Sequence, residues 1–472
     1  MRTVVRTMLF AFVGAPARAS MSSAPSSNRD GFSSGFGVLA ATLGSAVGLG
    51  NIWMFPYQTG NNGGAGFLLI YLIATLLAGL PLMIAEISLG RTARTDPVGV
   101  YRKLAPGTLW WIIGVLGLIS VLLIMSFYSA VVGWVFAYVG KSVGGGILTQ
   151  DRGVLEQTFG ALVSNPVAAL GWQWLVLLLV GAIITFGVSR GIEAVTKRLM
   201  PLLFGLLVLV AAFALMLPGA MEGVRFLFLP DFSRIDSQVL LKALGLAFFK
   251  LSLGVGSMTI YGSYFRQEQN IPRTALTVML ADLTVSMLAG LAIFPAVFAL
   301  GFNPAGGPAL LFQTIPAVFA GMPFGHLLMV TFFVLTAFAA IGAMLSLVEV
   351  PVAILHERLR IRRARATWLT ALLLVALGSL SALSSSTLSG VQLAGMNLFD
   401  LFDFLSSKLL MPITGLLTCL FVLLRWKQAG FVAANSNGGR LGNAALLRVV
   451  YLVLTTVTPL LILTVMLYGL LG

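Results

Sequence analysis

Charged residues are scarce in this chain of 472 residues: only 9% are Asp, Glu, Lys or Arg, whereas 58% are hydrophobic. A soluble globular domain carries about 25% charged residues, so the polar surface that a soluble enzyme, a disordered protein or a secreted domain needs is missing. Cysteine and histidine are also rare, with one Cys and two His. This shortage excludes a disulfide framework and leaves few ligands for a zinc site. The composition predicts a polytopic membrane protein.

Eleven apolar runs are long enough to cross a bilayer, which takes about 20 residues. Because the runs are continuous and do not alternate from residue to residue, they exclude a membrane β-barrel. They lie near residues 33–56, 64–89, 109–139, 169–188, 199–217, 240–264, 275–301, 324–355, 366–383, 398–424 and 446–471. The sequence therefore predicts an all-α polytopic membrane protein with eleven transmembrane helices.

The net charge of +14 would suit a nucleic-acid partner, but the positions of the charges argue against one. With the N-terminus inside the cell, most of the 29 Lys and Arg residues fall in inside segments, as is typical of membrane proteins. We therefore expect a location in the inner (plasma) membrane, a cytoplasmic N-terminus and an external C-terminus. The expected surroundings are the lipid bilayer, without nucleic acid.

Residues 1–20 imitate a secretory signal, because Arg2 and Arg6 precede a short apolar stretch and the small-residue site at 17–19. One interpretation is a cleaved signal. The other is an over-long start, with Met21 as the true initiator. A cleaved signal would export the N-terminus and invert the charge asymmetry, so the second interpretation is favoured.

Two apolar runs carry matching interruptions, SAVGLGN at residues 45–51 and SLGVGS at 252–257. They lie five runs apart, so the two copies have opposite orientations. Breaking a helix in the membrane frees backbone N–H and C=O groups, which is tolerated only where they line a cavity or bind a ligand. Paired interruptions of this kind point to the central site of a transporter; the alternative is close helix packing at the glycines.

Three segments resemble the first two helices of the neurotransmitter:sodium symporter family: GLGNIWMFPY at 48–57, NNGGAGF at 61–67 and GLPLMIAEISLGR at 79–91. The match continues with SFYS at 126–129, GIEAVTKRLMP at 191–201 and NLFDLFD at 397–403. The resemblance covers about residues 29–425. It implies a leucine-transporter-like fold, an inverted five-plus-five repeat with broken helices 1 and 6. It also implies alternating access and amino acids or their derivatives as substrates.

The resemblance divides the chain into four parts. Residues 1–28 would be a cytoplasmic tail and residues 29–217 the first five-helix repeat. The second, inverted repeat would cover 218–425 and include an extracellular loop helix near 307–320. Residues 426–472 would form a cytoplasmic loop and the eleventh helix.

Carried over residue by residue, the resemblance places the amino and carboxyl groups of the substrate at the broken helices. The hydroxyl of Tyr128 would bond the carboxylate. The implied substrate-binding residues are Ser45, Ala46, Leu49, Gly50, Ile124, Tyr128, Phe249, Lys250, Ser252, Val255, Ala343 and Leu347. The part that would take the side chain is apolar, and burying an unpaired polar group there is costly. We expect a small hydrophobic amino acid. A branched-chain one fits best, because Val255 stands where the family often has an aromatic residue.

The gates are also carried over from the family. Arg29 and Glu357 match its cytoplasmic gate pair, and Tyr264 would lie beside them. At the outer gate Met54 replaces the usual basic residue, which would leave Asp403 without that partner.

Three further residues would have structural roles. Glu86 lies inside a membrane span, where a carboxyl is costly unless bonded. It would accept hydrogen bonds from the unwound backbone of helices 1 and 6, a role favoured over carrying a proton. Gly191 and Pro201 have the spacing that lets helix 5 of the family unwind toward the cytoplasm.

The ion sites depart from the family. Asn51 matches a ligand of its first sodium site, but Lys250 occupies another ligand position there, and an ammonium and a sodium ion cannot share that volume. At the second site Gly342 and Ala343 replace two hydroxyl residues, which leaves few oxygens for a hard cation. Both sodium sites are therefore predicted to be lost. Asp282 is the expected counter-ion of Lys250, whose charged form would face the substrate carboxylate.

The predicted function is a sodium-independent, proton-coupled importer of hydrophobic amino acids. Three alternatives stay open: a sodium-coupled symporter with rearranged ion sites, an uncoupled facilitator or exchanger with Lys250 as a fixed charge, and a non-transporting amino-acid receptor. No nucleophile–base constellation supports an enzyme. We expect no catalytic residue, no cofactor and no bound metal, with the proton as the coupling ion. The sequence makes no prediction of oligomeric state.

Overall fold

The computed structural model of the protein describes residues 31–233, 235–301 and 311–471. Arg29, the signal-like residues 1–20, Met21 and the first part of the loop helix predicted near 307–320 lie outside the described residues.

The chain enters the membrane through a helix that is interrupted. Helix α1 (Gly35–Ala46) begins at Ser34, whose side chain accepts a hydrogen bond from the N–H of Gly37. After a break at residues 47–49 the chain resumes as a π-helical turn (Gly50–Met54) that leads into α2 (Phe55–Asn61). The two halves, which we call the first broken segment, are bent by 52°.

The rest of the first half consists of seven helices. They are α3 (Ala65–Ala74), α4 (Leu80–Ala93), α5 (Pro97–Leu104), α6 (Ile112–Val143), α7 (Arg152–Ser164), α8 (Pro166–Thr185) and α9 (Ala194–Leu215). A π-helical turn (Thr75–Gly79) joins α3 to α4, and another (Val188–Glu193) precedes α9. The fifth membrane helix was predicted at 199–217 and instead runs from Val188 to Leu215. It includes Lys197 and Arg198, which broke the apolar run in the sequence.

The second half begins with α10 (Ala220–Phe228) and a second interrupted helix, α11 (Ser237–Lys250) and α12 (Ser257–Ser263). It continues with α13 (Ile271–Ala299), α14 (Thr314–Ala320), α15 (Gly325–Leu359) and α16 (Arg363–Ala382). A short antiparallel pair of strands, β1 (Gln392–Leu393) and β2 (Met396–Asn397), follows. The chain ends in α17 (Leu398–Asp403), α18 (Met411–Phe421), α19 (Lys427–Asn435), α20 (Ala444–Thr455) and α21 (Val457–Leu471).

The break between α11 and α12 contains three residues whose backbone is in the left-handed region, with positive φ. We call α11, α12 and the six residues between them the second broken segment. Ser252, Gly254 and Gly256 have φ angles of 51°, 73° and 80°. A Cβ on Gly254 would lie 2.4 Å from the carbonyl oxygen of Met411 in α18, so only glycine permits this close approach.

The predicted all-α polytopic architecture with two broken helices is confirmed. Within the described residues nine helices are long and apolar enough to cross a membrane, and the first broken segment makes a tenth. The second broken segment coincides with the remaining predicted run, residues 240–264. The long helices α6 and α15 pack against each other, and α15 also packs on α1. The two breaks therefore lie at the centre of the helix bundle.

Candidate functional site

A pocket lies at the two breaks, between α6 and α15. Its lining residues are Ser45, Ala46, Gly48, Gly50, Ile124, Tyr128, Phe249, Lys250, Ser252, Val255, Ala343, Leu347 and Met411. All predicted substrate-binding residues are among them except Leu49. Leu49 is not among the lining residues: its backbone N–H donates to Tyr128 Oη at 3.2 Å and the residue is buried, so its contact with a substrate stays a prediction.

Gly48 and Met411 line the pocket although the sequence did not point to them. Met411 begins α18 directly after a π-helical turn (Phe404–Leu410). Such a turn inserts a residue and changes which side chains share a face. Ordinary helical periodicity could not find Met411.

Two serines connect the broken segments at the polar end of the pocket. Ser252 Oγ donates to the carbonyl oxygen of Ser45 at 3.0 Å. The Ser45 hydroxyl donates to Ser346 Oγ in α15 at 2.8 Å. These bonds satisfy groups that the breaks would otherwise leave unpaired in the membrane.

Tyr128 lies against the first break. A Cβ on Gly48 would lie 3.0 Å from Tyr128 Oη and 2.9 Å from the Cβ of Ala343, so glycine is needed for the backbone to come this close. Tyr128 accepts the Leu49 N–H, and a hydroxyl that accepts can still donate its own hydrogen. The predicted bond from Tyr128 to a substrate carboxylate is compatible with this geometry.

The remaining wall is apolar. Ile124, Val255, Ala343 and Leu347 are all buried, and Phe249 is half-buried. None of these side chains offers a hydrogen bond. A ligand that enters this part of the pocket must present apolar surface.

The ammonium of Lys250 is buried in a polar cluster beside the pocket. Its Nζ lies 3.0 Å from Asp282 Oδ2 in α13. Nζ also donates to Tyr71 Oη in α3, at 2.8 Å, and to Ser286 Oγ. The rings of Phe55 and Tyr71 lie 5.1 Å and 4.7 Å from Nζ. An ammonium has three donors, and these three oxygens accept all of them.

The orientation of Lys250 differs from the prediction. Its ammonium was expected to face the substrate carboxylate, but it is turned toward Asp282, because the three oxygens around it already satisfy its donors. Its aliphatic part lies against the pocket: a Cβ on Gly50 would be 3.1 Å from Lys250 Cγ. The predicted contact between Lys250 and Asp282 is present.

Asn51 joins this cluster from the first broken segment. Its Nδ2 donates to Asp282 Oδ1 at 2.6 Å, to the Asp282 carbonyl oxygen at 3.1 Å and to Ser286 Oγ at 3.1 Å. Its Oδ1 accepts the N–H of Gly48 at 3.2 Å. One amide thus contacts both the ion pair and the backbone of the pocket.

The position of the family's second sodium is closely packed. A Cβ on Gly342 would lie 3.0 Å from the carbonyl oxygen of Gly44 and 3.3 Å from Met200 Cε. A Cβ on Gly44 would lie 3.0 Å from the methyl group of Thr196. The Thr196 hydroxyl donates to Ile192 in its own helix, so apolar groups of Thr196 and Met200 face this position.

Glu86 contacts only one of the two breaks. Its Oε1 accepts the N–H of Gly254 at 2.8 Å, as predicted for the second broken segment. The predicted bond from the first broken segment is corrected: Oε2 has no hydrogen-bond partner among the described residues, because the donors of the first break are directed to Tyr128 and Asn51.

Of the predicted cytoplasmic gate pair, Arg29 lies outside the described residues. Glu357 Oε2 accepts the N–H of Asp96 at 2.9 Å and the hydroxyl of Thr95 at 3.1 Å. Tyr264, which was predicted beside the Arg29–Glu357 pair, donates to Glu349 Oε1 at 2.6 Å. Glu349 attracts this hydroxyl because it is a buried carboxylate.

The negative charge of Glu349 is balanced by an arginine of the neighbouring helix. Arg363 in α16 donates to both of its carboxylate oxygens, at 2.9 Å and 2.5 Å. This two-pronged geometry is the strongest that an arginine makes with a carboxylate. Tyr264 and the C-terminal end of α12 are thereby held against α15 and α16.

Asp403 and Met54 occupy the two positions that the resemblance assigns to the outer gate. Asp403 accepts a hydrogen bond from Ser407 Oγ at 2.8 Å, and Met54 is half-buried nearer the first break.

Gly191 lies in the π-helical turn before α9, where a Cβ would be 2.2 Å from the carbonyl oxygen of Ile183. Pro201 lies inside α9, so the fifth membrane helix is wound in this structure.

The described residues contain no group of three or more His, Cys, Asp or Glu side chains that could hold a metal ion.

Comparisons with known proteins agree with this architecture. The chain matches the Sodium:neurotransmitter symporter family over residues 29–148 and 162–471. It is 40% identical to the uncharacterized sodium-dependent transporter YhdH of Bacillus subtilis, over 92% of this chain and 96% of that one. It is 30% identical to the sodium-dependent neutral amino acid transporter SLC6A17 of Rattus norvegicus, over 58% of this chain and 41% of that one.

A solved structure is also similar. The crystal structure of MhsT in complex with L-phenylalanine has 39% sequence identity and a TM-score of 0.87, over 93% of this chain and all of that one. The fold is thus the predicted leucine-transporter-like one, in a multi-pass membrane protein. The chain belongs to the sodium:neurotransmitter symporter family, a family of transporters and not of enzymes.

Proposed function

We propose that this protein is a secondary transporter that imports hydrophobic amino acids by alternating access, without sodium and in symport with protons. The observation that carries the proposal is the buried Lys250–Asp282 pair, with 3.0 Å between Nζ and Oδ2. Lys250, the positive member of the pair, stands at a ligand position that the resemblance assigns to the family's first sodium site.

The apolar wall of the pocket supports a hydrophobic substrate. Burying an aliphatic side chain there gains about 0.8 kcal/mol for each CH₂ group, whereas a polar side chain would lose its hydrogen bonds to water. MhsT was crystallised with L-phenylalanine, and SLC6A17 is named a neutral amino acid transporter. Val255 and Leu347 line this part of the pocket with branched aliphatic side chains, and Val255 stands where the family often has an aromatic residue, so we favour branched-chain amino acids.

The packing around Lys250 and Gly342 supports sodium independence. The Lys250 ammonium has its own three oxygen partners, and a sodium ion beside it would be repelled. At the second position the Thr196 methyl group lies 3.0 Å from where a Cβ on Gly44 would be, and Met200 Cε lies 3.3 Å from where a Cβ on Gly342 would be. Gly342 and Ala343 replace the two hydroxyl residues of the family, which leaves fewer oxygens for a hard cation.

Proton coupling follows from the chemistry of the pair. Lys250 and Asp282 are titratable groups at an ion position, and Asn51 connects them to the pocket. A proton bound together with the substrate on one side and released on the other would couple the two fluxes. Two alternatives have a basis of their own: a fixed Lys250 charge would give a facilitator or exchanger, and the name of YhdH favours sodium dependence.

The gates and the orientation belong to the same proposal. We assign Arg29 and Glu357 to the cytoplasmic gate and Asp403 to the external one, with the N-terminus inside and the C-terminus outside. Gly191 and Pro201 would permit local unwinding of the fifth membrane helix. A moving transporter uses such residues, whereas an amino-acid receptor has no need of them.

The deciding experiment is uptake of labelled leucine into proteoliposomes with proton and sodium gradients imposed separately. Accumulation driven by an inward proton gradient without sodium supports the proposal. Accumulation that needs sodium would overturn sodium independence but would leave the pocket intact. Binding without any uptake or counterflow would favour the receptor, and counterflow without accumulation would favour the facilitator.

A further inference from the structure

Met411 lines the pocket from a helix that contributes no other lining residue. The rest of the lining comes from the two broken segments, α6 and α15. Met411 is only 2% exposed and is the first residue of α18. The pocket therefore has a further wall, which α18 supplies.

The backbone of Met411 lies directly against the second break. A Cβ on Gly254 would be 2.4 Å from the carbonyl oxygen of Met411 and 3.3 Å from its Cα. Val255, the residue after Gly254, lines the same pocket. The side chains of Met411 and Val255 therefore enter the pocket from neighbouring stretches of backbone.

The elements around Met411 hold its backbone in place. The π-helical turn before it (Phe404–Leu410) packs on α6, and α18 packs on α4 and α6. One turn further along α18, a Cβ on Gly415 would lie 2.8 Å from Phe248 Cε1 in α11. A substitution at position 411 should therefore change the side chain in the pocket while the backbone stays where it is.

The side chain of Met411 is more adaptable than those of the neighbouring wall. Ile124 and Val255 are branched at Cβ, which restricts rotation about χ1. Methionine is unbranched, and its flexible thioether fills irregular apolar gaps. Met411 can extend or retract to follow a ligand, whereas the branched residues keep their shape.

We propose that Met411 is a specificity-determining residue, which sets the longest side chain that the pocket accepts and lets it take hydrophobic side chains of different shape. Leucine and isoleucine fit against an extended Met411, and longer side chains fit against a retracted one. The inference rests on the proposed binding of hydrophobic amino acids and refines it. It does not depend on which ion drives transport.

The first test measures competition of unlabelled amino acids against labelled leucine on the full-length protein in proteoliposomes. Met411→Ala removes the thioether and leaves space at its end of the pocket. Each CH₂ group that a ligand buries there gains about four-fold in affinity, so the ratio of phenylalanine affinity to leucine affinity should rise about ten-fold. Met329→Ala is the matched control, because Met329 in α15 is also buried but is not among the lining residues. It should keep the wild-type order of competitors.

A combined variant gives a result that a loss of stability cannot imitate. Val255→Phe crowds the pocket from the second break and should weaken leucine binding, and Met411→Ala makes room beside it. Residues that share a cavity couple in a double-mutant cycle, so adding Met411→Ala to Val255→Phe should restore leucine affinity about ten-fold. Adding Met329→Ala should restore none.

Met411→Ile covers failure of the alanine variants to fold, because it nearly conserves the buried volume. Its branched side chain cannot retract, so phenylalanine affinity should fall about five-fold or more relative to leucine, as for overpacking. If the wild type binds leucine and none of the Met411 variants changes the order of competitors, the inference is overturned and the proposed function stands. If the wild type binds no hydrophobic amino acid, the proposed function fails and this inference fails with it.

Discussion

The carboxylate of Glu193 holds the amino end of helix α1. Its Oε2 accepts the N–H of Ser33 and its Oε1 the Ser33 hydroxyl, both at 2.6 Å. Glu193 is buried and also pairs with Lys197 at 2.6 Å. It ends the π-helical turn that contains Gly191. Unwinding of this turn would therefore withdraw the carboxylate from α1.

We predict that Glu193→Gln loosens the N-terminal end of α1. The new NH₂ group would oppose the Ser33 donors, a loss of about 1–3 kcal/mol for an unsatisfied buried group. Hydrogen–deuterium exchange of residues 35–46 should become faster. Lys103→Gln is the control, because Lys103 donates to the carbonyl oxygen of Ala93 at 2.9 Å and not to Glu193 or Ser33. Equal exchange in the wild type and Glu193→Gln would show that the contact does not hold the helix.

Lys250→Thr should abolish accumulation of leucine under a proton gradient. The change removes the ammonium from the pair and leaves Asp282 as the charged group of the cluster. Lys242→Thr, in the same helix, is the control, because Lys242 donates to Asn62 at 3.1 Å and not to the pair. Proton-driven uptake that persists in Lys250→Thr would remove the lysine from the coupling mechanism.

Tyr128→Phe should weaken leucine binding by about 1–3 kcal/mol. The change removes the acceptor of the Leu49 N–H and the proposed donor to the substrate carboxylate. Calorimetry or scintillation proximity binding would measure the effect. Tyr138→Phe is a matched control in the same helix, because the buried Tyr138 hydroxyl has no hydrogen-bond partner among the described residues. Unchanged affinity in Tyr128→Phe would place the substrate elsewhere.

Val255 should set the size of the accepted side chain. Val255→Phe fills the apolar end of the pocket, and we expect bulky substrates to lose affinity relative to alanine. Val255→Ala enlarges the same space and should favour phenylalanine over valine. Competition of unlabelled amino acids against labelled leucine measures both profiles. If neither variant changes the order of competitors, the assigned pocket is wrong.

The sequence was most informative where a polar or glycine residue interrupts an apolar run. The sequence shows the Gly-x-Gly interruptions at 48–50 and 254–256 and the charges Lys250 and Asp282. Each stands out because it is costly in a membrane without a partner. These signals and the lengths of the runs predict a polytopic helical membrane protein with two interrupted helices. The leucine-transporter-like fold and the pocket residues follow from the family resemblance.

Contacts that depend on helix phase or on side-chain orientation could not be predicted. Ser286 and Tyr71 complete the Lys250 cluster, but a serine or tyrosine in an apolar helix gives no sign of its partner. The π-helical turn before Met411 changes the face of the helix on which Met411 lies. Tyr264 donates to Glu349, and spacing along α15 does not show which of its carboxylates a tyrosine of another helix reaches.

The Lys250–Asp282 pair has a consequence for how the transporter responds to voltage. The two opposite charges belong to the protein and cancel each other, so a returning empty carrier would move little charge through the membrane field. A zwitterionic amino acid adds none. The proton that we propose would then be the single charge of the cycle. A membrane potential of 100 mV would assist each leucine by about 2.3 kcal/mol, and the steady-state accumulation would rise steeply with membrane potential.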